Sequence, residues 1–150
     1  MFGLYYYGYW LDYDMFLHFP GKCDTIKASK PEKEAFSVPM IHTRVNISIP
    51  KETEEKLARR LGEAIRLLGK SEEWLMLHFD EKCSLYFRGK NDSPMAYVEV
   101  KLLGSAGTDA YAFMTQEICH ILKEELAIPP ECVYVYYDET DDWGWNGSNF

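Results

Sequence analysis

The sequence lacks the features that would place it among nucleic-acid-binding, zinc-binding or membrane-spanning proteins. Its 16 lysine and arginine residues are outnumbered by 24 aspartate and glutamate residues, and they form no basic cluster that could follow a phosphate backbone. The four cysteines are widely separated with no C-x-x-C pair, which favours reduced structural thiols over a zinc site. No run is long or apolar enough to cross a bilayer. We therefore expect no nucleic-acid partner, no membrane partner and no metal.

The N-terminus also has no basic segment followed by an apolar one, so no signal peptide is predicted. On this basis we expect the protein to be cytoplasmic, or secreted without a signal peptide. A length of 150 residues, of which 47% are hydrophobic, is enough for one globular domain with a core and too short for two ordinary domains.

Residues 1–38 differ in composition from the rest of the chain. They are rich in aromatic residues as far as Phe19, then become polar and lysine-rich, without helical or strand periodicity. Disordered segments are poor in aromatics, so disorder alone does not explain this composition. The favoured interpretation is a translation start assigned too far upstream, because Val38 can be encoded by the initiator codon GTG and Lys33-Glu34-Ala35 by a ribosome-binding sequence. The alternative is a flexible or strand-like arm added to the domain of residues 39–150.

After this segment the sequence predicts two copies of a strand-helix-strand unit. Alternating apolar residues indicate strands, and apolar residues at helical spacing indicate helices that end near Gly69 and Leu126. The segments Glu73–Glu81 and Glu131–Glu139 both end in aromatic-Asp-Glu, which indicates an internal duplication. The predicted elements are the strands Met40–Ile49, Trp74–Asp80, Met95–Leu103 and Cys132–Tyr137, and the helices Lys51–Leu68 and Thr108–Leu126.

Two such units place both helices on one face of a sheet, which leaves the other face without a cover in a single chain. The strands carry Val98, Val100, Leu102, Val133 and Val135, so we expect the bare face to be apolar. An apolar face of that size needs a partner, which predicts a homo-oligomer.

Several short motifs, taken in order, resemble the macrophage migration inhibitory factor family in its bacterial form. They are Pro39-Met40-Ile41, Gly69-Lys70, Val133-Tyr134-Val135, and the ending from Gly144 to Phe150. The resemblance covers Pro39 to Phe150 and implies the tautomerase fold. This is an α+β two-layer sandwich, a duplicated β-α-β arrangement with a four-stranded mixed sheet and two helices on one face. The resemblance also implies a homotrimer with active sites between subunits, and chemistry that needs no cofactor.

The resemblance assigns candidate roles to individual residues. Pro39, as an N-terminal secondary amine, would be the catalytic base, and Lys70 would bind the substrate carboxylate. Leu103 would line the pocket, and the neighbouring subunit would contribute a tyrosine. The assigned substrate-binding residues are Lys70, Leu103, Tyr134, Tyr136, Trp145 and Phe150. Tyr136 replaces an asparagine of the best-known relative and Leu102 a serine, and its C-x-x-C pair is absent here, so thiol oxidoreductase activity is not expected.

The implied function is keto-enol tautomerisation of phenylpyruvate-like α-keto acids. The alternative is a cytokine mimic or protein-binding module without catalysis, whose partner would be a host receptor if the protein is exported. Decarboxylation or dehalogenation of small acids is a third possible function. Such reactions often use additional arginines, and Arg44 and Arg88 are the candidates in this sequence. Each candidate residue could also have a purely structural role. Pro39 can simply open a strand, and Lys70 can complete a helix C-terminus.

Overall fold

The computed structural model of the protein describes residues 38–149, where a mixed sheet is packed on one face against two α-helices. Phe150 and residues 1–37, with the proposed N-terminal extension, lie outside the described residues. In chain order the elements are β1 Pro39–Val45, α1 Lys51–Ala64, β2 Met76–Asp80, β3 Ala96–Leu103, α2 Thr108–Leu126, β4 Val133–Thr140, β5 Gly144–Trp145 and β6 Ser148–Asn149.

The main sheet has the strand order β2-β1-β3-β4. Strand β1 is parallel to β2, and β3 is parallel to β4, while the central pair β1 and β3 is antiparallel. Each parallel pair is joined through a helix, so the two predicted β-α-β units are confirmed. Strand β2 begins later than predicted because Ser71 accepts a hydrogen bond from the backbone of Glu73 and starts a short 3-10 helix over Glu72–Trp74.

Both helices end where the sequence predicts. The first continues from α1 as a 3-10 turn over Ile65–Leu68 and stops at Gly69, which has a left-handed φ of 68°. The second covers the whole predicted range. Their apolar sides bury Leu57, Leu61, Met114 and Ile118 against the sheet. Neither helix of residues 38–149 is long and apolar enough to cross a membrane.

The face of the sheet away from the helices is polar, so the expectation of an apolar bare face is wrong. Val98, Val100 and Leu102 are fully buried against the helices, together with Ile41 of β1. Because side chains alternate along a strand, the residues between them occupy the opposite face. Those residues include Tyr97, Glu99 and Lys101 of β3, His42 and Arg44 of β1, and Tyr134 and Tyr136 of β4.

A hydrogen-bonded network occupies this polar face. Arg44 donates from Nη1 to Glu99 Oε1 at 2.9 Å and from Nη2 to His42 Nδ1 at 3.0 Å. Because arginine has only donors, His42 Nδ1 accepts, and Nε2 carries the proton that it donates to Asp80 Oδ2 at 2.7 Å. His42 also stacks on the ring of His78. Ligand atoms of the two histidines and Asp80 could surround a metal ion, but the Arg44 cation and this proton arrangement disfavour one.

The network predicts a pH-dependent contribution of Glu99 to stability. The hydrogen bond from Arg44 lowers the pKa of Glu99, so the charged carboxylate stabilises the fold above the ordinary carboxyl pKa, and this stabilisation is lost as the pH falls through the lowered value. We expect Glu99→Gln to lower the free energy of unfolding by about 1 kcal/mol at neutral pH, and by less below about pH 4. Urea unfolding at both pH values measures this difference. Glu63→Gln, which removes an exposed carboxylate from α1, is the matched control.

Candidate active site

Pro39 is the first residue of β1, which is a central strand of the sheet. It is buried and pairs in register with Leu102. In the described chain its nitrogen is part of the peptide bond to Val38. The carbonyl oxygen of Val38 accepts a hydrogen bond from the backbone N–H of Leu103 at 3.1 Å. The peptide unit in front of Pro39 is therefore fixed against the end of β3.

Lys70 precedes Leu103 by 33 residues in the sequence, and its side chain reaches the same end of β3. The left-handed turn at Gly69 directs the chain out of the first helix, and the Lys70 Nζ donates to the backbone carbonyl of Leu103 at 2.9 Å. Partial burial lowers the pKa of Lys70, while the negative charge of Glu139 opposes that change. The structure thus brings Lys70 and Leu103 together beside the start of β1.

Trp145 lies on a small hairpin formed by β5 and β6. Asn146 and Gly147 connect the two strands with φ values of 50° and 84°, the positive values that a tight two-residue turn requires. The ring of Trp145 packs edge-on against Trp74 at a centroid distance of 5.2 Å, so the hairpin lies against the segment that follows Lys70.

Tyr134 and Tyr136 are not brought to Lys70 within one chain. They lie on the polar face of β4, where their side chains are 64% and 50% exposed, and Tyr134 contacts Phe87 edge-on. The residue of β4 that pairs with Leu103 is Thr140, six positions after Tyr134. Six strand residues span roughly 20 Å, so Tyr134 can meet this end of β3 only from a different subunit.

The two arginines considered for other reactions are placed elsewhere. Arg44 is five residues along β1 from Pro39, roughly 16 Å away, and is bound to Glu99. Arg88 lies in the connection between β2 and β3, with its guanidinium over the ring of Phe87. Neither residue is positioned beside Pro39 and Lys70.

Tyr111 and Glu139 form a contact that the sequence analysis did not identify. Tyr111, near the start of α2, donates its hydroxyl proton to the Glu139 carboxylate, and the hydroxyl oxygen accepts from the backbone N–H of Ala106 at 2.9 Å. Burial, and secondarily the hydrogen bond to Glu139, raise the pKa of Tyr111. Glu139 belongs to the duplicated aromatic-Asp-Glu motif, but nothing in the motif connects it with a tyrosine 28 residues earlier.

The chain is similar in sequence to a known protein family and to individual members of it. The sequence model of the Macrophage migration inhibitory factor (MIF) family matches residues 38–150. The chain is 30% identical over 118 residues to macrophage migration inhibitory factor of Mus musculus, with 75% of this chain and 99% of that protein covered. The similarity to the mouse protein therefore extends over nearly its whole length.

Solved structures agree with the sequence comparison. The crystal structure of Leishmania major MIF2 superimposes with a TM-score of 0.71 at 34% identity, covering 75% of this chain and 97% of that one. A macrophage migration inhibitory factor homologue from Prochlorococcus marinus gives a TM-score of 0.68 at 26% identity, with 74% and 98% covered. From residue 38 onward, by sequence and by fold, the chain belongs to the macrophage migration inhibitory factor family.

Proposed function

We propose that the protein, with Pro39 as its mature N-terminus, is a keto-enol tautomerase for phenylpyruvate-like α-keto acids. Membership of the family supports a tautomerase or MIF-like function in general. The observation that carries the narrower proposal is the convergence of Pro39 and Lys70 on the last residues of β3, Leu102 and Leu103. A base and a carboxylate-binding cation are the two groups that this reaction requires from the protein.

The chemistry follows from the properties of a secondary amine. With Pro39 at the N-terminus, its nitrogen has a lone pair that can take a proton from the carbon next to the substrate carbonyl. The electrons of that C–H bond form the enol double bond, the π electrons of the carbonyl group move to its oxygen, and the protonated Pro39 amine returns the proton to this oxygen, which leaves Pro39 free again. An apolar surrounding and the nearby Lys70 cation disfavour the protonated amine, which moves its pKa toward neutrality and suits it to general-base catalysis.

The substrate would be held by its carboxylate and its aromatic ring. Lys70 is the proposed donor for the carboxylate. Leu103, whose carbonyl Lys70 contacts, and Trp145, which packs on Trp74, are the proposed apolar surfaces. Tyr134, Tyr136 and Phe150 complete the proposed substrate site, with the two tyrosines coming from a neighbouring protomer of a homotrimer. The distance of roughly 20 Å along β4 that separates Tyr134 from the Leu103 level in one chain supports this shared arrangement.

Two observations support a mature chain that begins at Pro39. The family match starts at Val38, immediately before it. The mouse relative is covered over 99% of its length by 75% of this chain, so a complete protein of the family corresponds to residues from this point onward. The gene sequence tests the proposed start, since a Val38 codon other than GTG would contradict initiation there.

Lys70→Gln is expected to weaken substrate binding. A charge-assisted hydrogen bond contributes about 1.5–3 kcal/mol, so we expect KM for phenylpyruvate to rise about 10- to 100-fold with a smaller change in kcat. Steady-state kinetics on the chain that begins at Pro39 measures both constants. Lys90→Gln, which removes an exposed positive charge from the connection between β2 and β3, is the matched control. An unchanged KM in Lys70→Gln would remove Lys70 from the substrate site.

A binding function without catalysis is the second candidate, and the described chain itself favours it in one respect. The Pro39 nitrogen is an amide there, and the buried Val38 in front of it is hydrogen-bonded to β3. An amide nitrogen cannot act as a base. Mass spectrometry of the protein from its native cell separates the two candidates, because catalysis requires a species that begins at Pro39, whereas a molecule that retains residue 38 has only the binding function open to it.

A further inference from the structure

Glu139 lies beside the proposed site on the side opposite to β1. In the register of the sheet, Leu102 pairs with Pro39 on one side and with Glu139 on the other. The next residue, Leu103, receives the hydrogen bond from Lys70. The carboxylate-bearing residue, the proposed base and the proposed carboxylate-binding cation therefore surround the same two residues of β3.

Tyr111 holds the Glu139 side chain in place. Its hydroxyl group donates to the carboxylate and is itself fixed by the Ala106 N–H, while its ring packs against Tyr137 at a centroid distance of 4.4 Å. The carboxylate therefore has a partner other than Lys70. It can influence Lys70 electrostatically without occupying its hydrogen-bonding position at the Leu103 carbonyl.

We propose that Glu139, held by Tyr111, is a positioning and specificity-determining residue that restricts the site to acids with a single negative charge. This inference rests on the proposed function, because it concerns the same Lys70. The physical reason is that one substrate carboxylate can pair with Lys70, whereas a second one would face the fixed charge of Glu139. Glu139 is exposed and Lys70 is half-buried, so solvent screens this repulsion in part.

The substrate test compares phenylpyruvate, a monoanion, with oxaloacetate, a dicarboxylate, on the chain that begins at Pro39. Glu139→Gln keeps the size of the side chain and removes its charge. We expect the ratio of kcat/KM for oxaloacetate to that for phenylpyruvate to rise about 3- to 5-fold, as expected for loss of a partly screened charge interaction. Asp138→Asn removes the neighbouring charge from the opposite face of β4, where Asp138 pairs with Lys101, and should leave the ratio unchanged.

A second test measures Lys70 directly and does not depend on activity. NMR titration of labelled lysine in the full 150-residue chain gives the pKa of Lys70. We expect Glu139→Gln to lower this pKa by about 0.2 to 0.7, because the stabilising negative charge is lost. Asp138→Asn should not change it.

Tyr111→Phe tests whether the tyrosine acts through Glu139. Without the hydroxyl group the carboxylate turns toward solvent, so the Lys70 pKa should change in the same direction as in Glu139→Gln. In the Tyr111→Phe/Glu139→Gln double variant, the tyrosine substitution should add nothing. An equal effect of Tyr111→Phe with and without Glu139 would show that the tyrosine acts on its own and would overturn its positioning role.

The outcomes separate this inference from the proposed function. If the chain beginning at Pro39 is inactive, the proposed tautomerase function fails, and the titration still decides whether Glu139 acts on Lys70. If that chain is active but Glu139→Gln changes neither the substrate ratio nor the Lys70 pKa, the inference about Glu139 alone is wrong.

Discussion

A chain that begins at Pro39 is expected to tautomerise phenylpyruvate, whereas the full chain with residues 1–38 attached is not. The difference follows from the nitrogen, which is a basic secondary amine in the first protein and a non-basic amide in the second. Positioned general bases contribute about 10²- to 10⁴-fold to a rate, and we expect Pro39→Gly to lower kcat/KM by a factor in that range. The change in ultraviolet absorbance on conversion of the enol measures the rate.

Pro50→Gly is the matched control for this experiment. Pro50 is an exposed residue at the N-cap of α1, after the other end of β1, and its replacement removes a proline without touching the proposed base. Circular dichroism of each protein shows whether a loss of rate reflects a loss of fold. Equal rates from the full chain and from the chain beginning at Pro39 would contradict the free-amine mechanism.

Leu68→Ala is expected to cause a large loss of stability. Leu68 is 4% exposed and belongs to the core cluster, so its truncation removes buried apolar surface and leaves a cavity. Buried leucine-to-alanine substitutions cost about 2–5 kcal/mol, and we expect a loss of this size in the free energy of unfolding. Urea unfolding followed by tryptophan fluorescence measures it.

The neighbouring leucine provides the control. Leu67 is 44% exposed in the same 3-10 turn, and Leu67→Ala removes the same atoms from a surface position. We expect a cost below about 1 kcal/mol for this variant. Similar losses in the two variants would mean that the turn before Gly69 is not anchored through Leu68.

The order and limits of the helices could be predicted because local features determine them. Acidic residues in the first turn of α1, apolar residues at helical spacing and a glycine at its end specify one helix. The start of β2 could not be placed so well, because the Ser71 side chain accepts a hydrogen bond from the Glu73 backbone N–H and so begins a 3-10 turn within an otherwise strand-like sequence. Hydrophobic periodicity does not report such a contact.

The polarity of the bare face was predicted wrongly for a different reason. The strand residues Val98, Val100 and Leu102 alternate with Tyr97, Glu99 and Lys101, so the sequence shows two faces but does not say which one the helices cover. The assignment requires the register of β3 on β1, which pairs Val100 with the buried Ile41 and is visible only in the folded structure.

The candidate site was predicted in part. The motif Gly69-Lys70 and the resemblance pointed to Lys70 and Leu103, which the structure brings together. The contact between Tyr111 and Glu139 joins α2 to the end of β4, and contacts between distant segments have no local sequence pattern. The contact between Lys70 and Leu103 is observed, but the roles of all the candidate residues in the reaction are predictions that the kinetic experiments address. These residues are Pro39, Lys70, Leu103, Tyr134, Tyr136, Trp145 and Phe150.

The position of Pro39 in a central strand sets a strict requirement on how the molecule is made. Because β1 is paired on both sides, its residues cannot slide along the sheet to compensate for a longer or shorter front end. One surplus amino acid would carry the terminal amino group about 3.3 Å beyond the reactive position. Under the proposed mechanism, ribosomal initiation and any later trimming would therefore have to agree to within a single residue, and copies with a longer or shorter front end would be inactive.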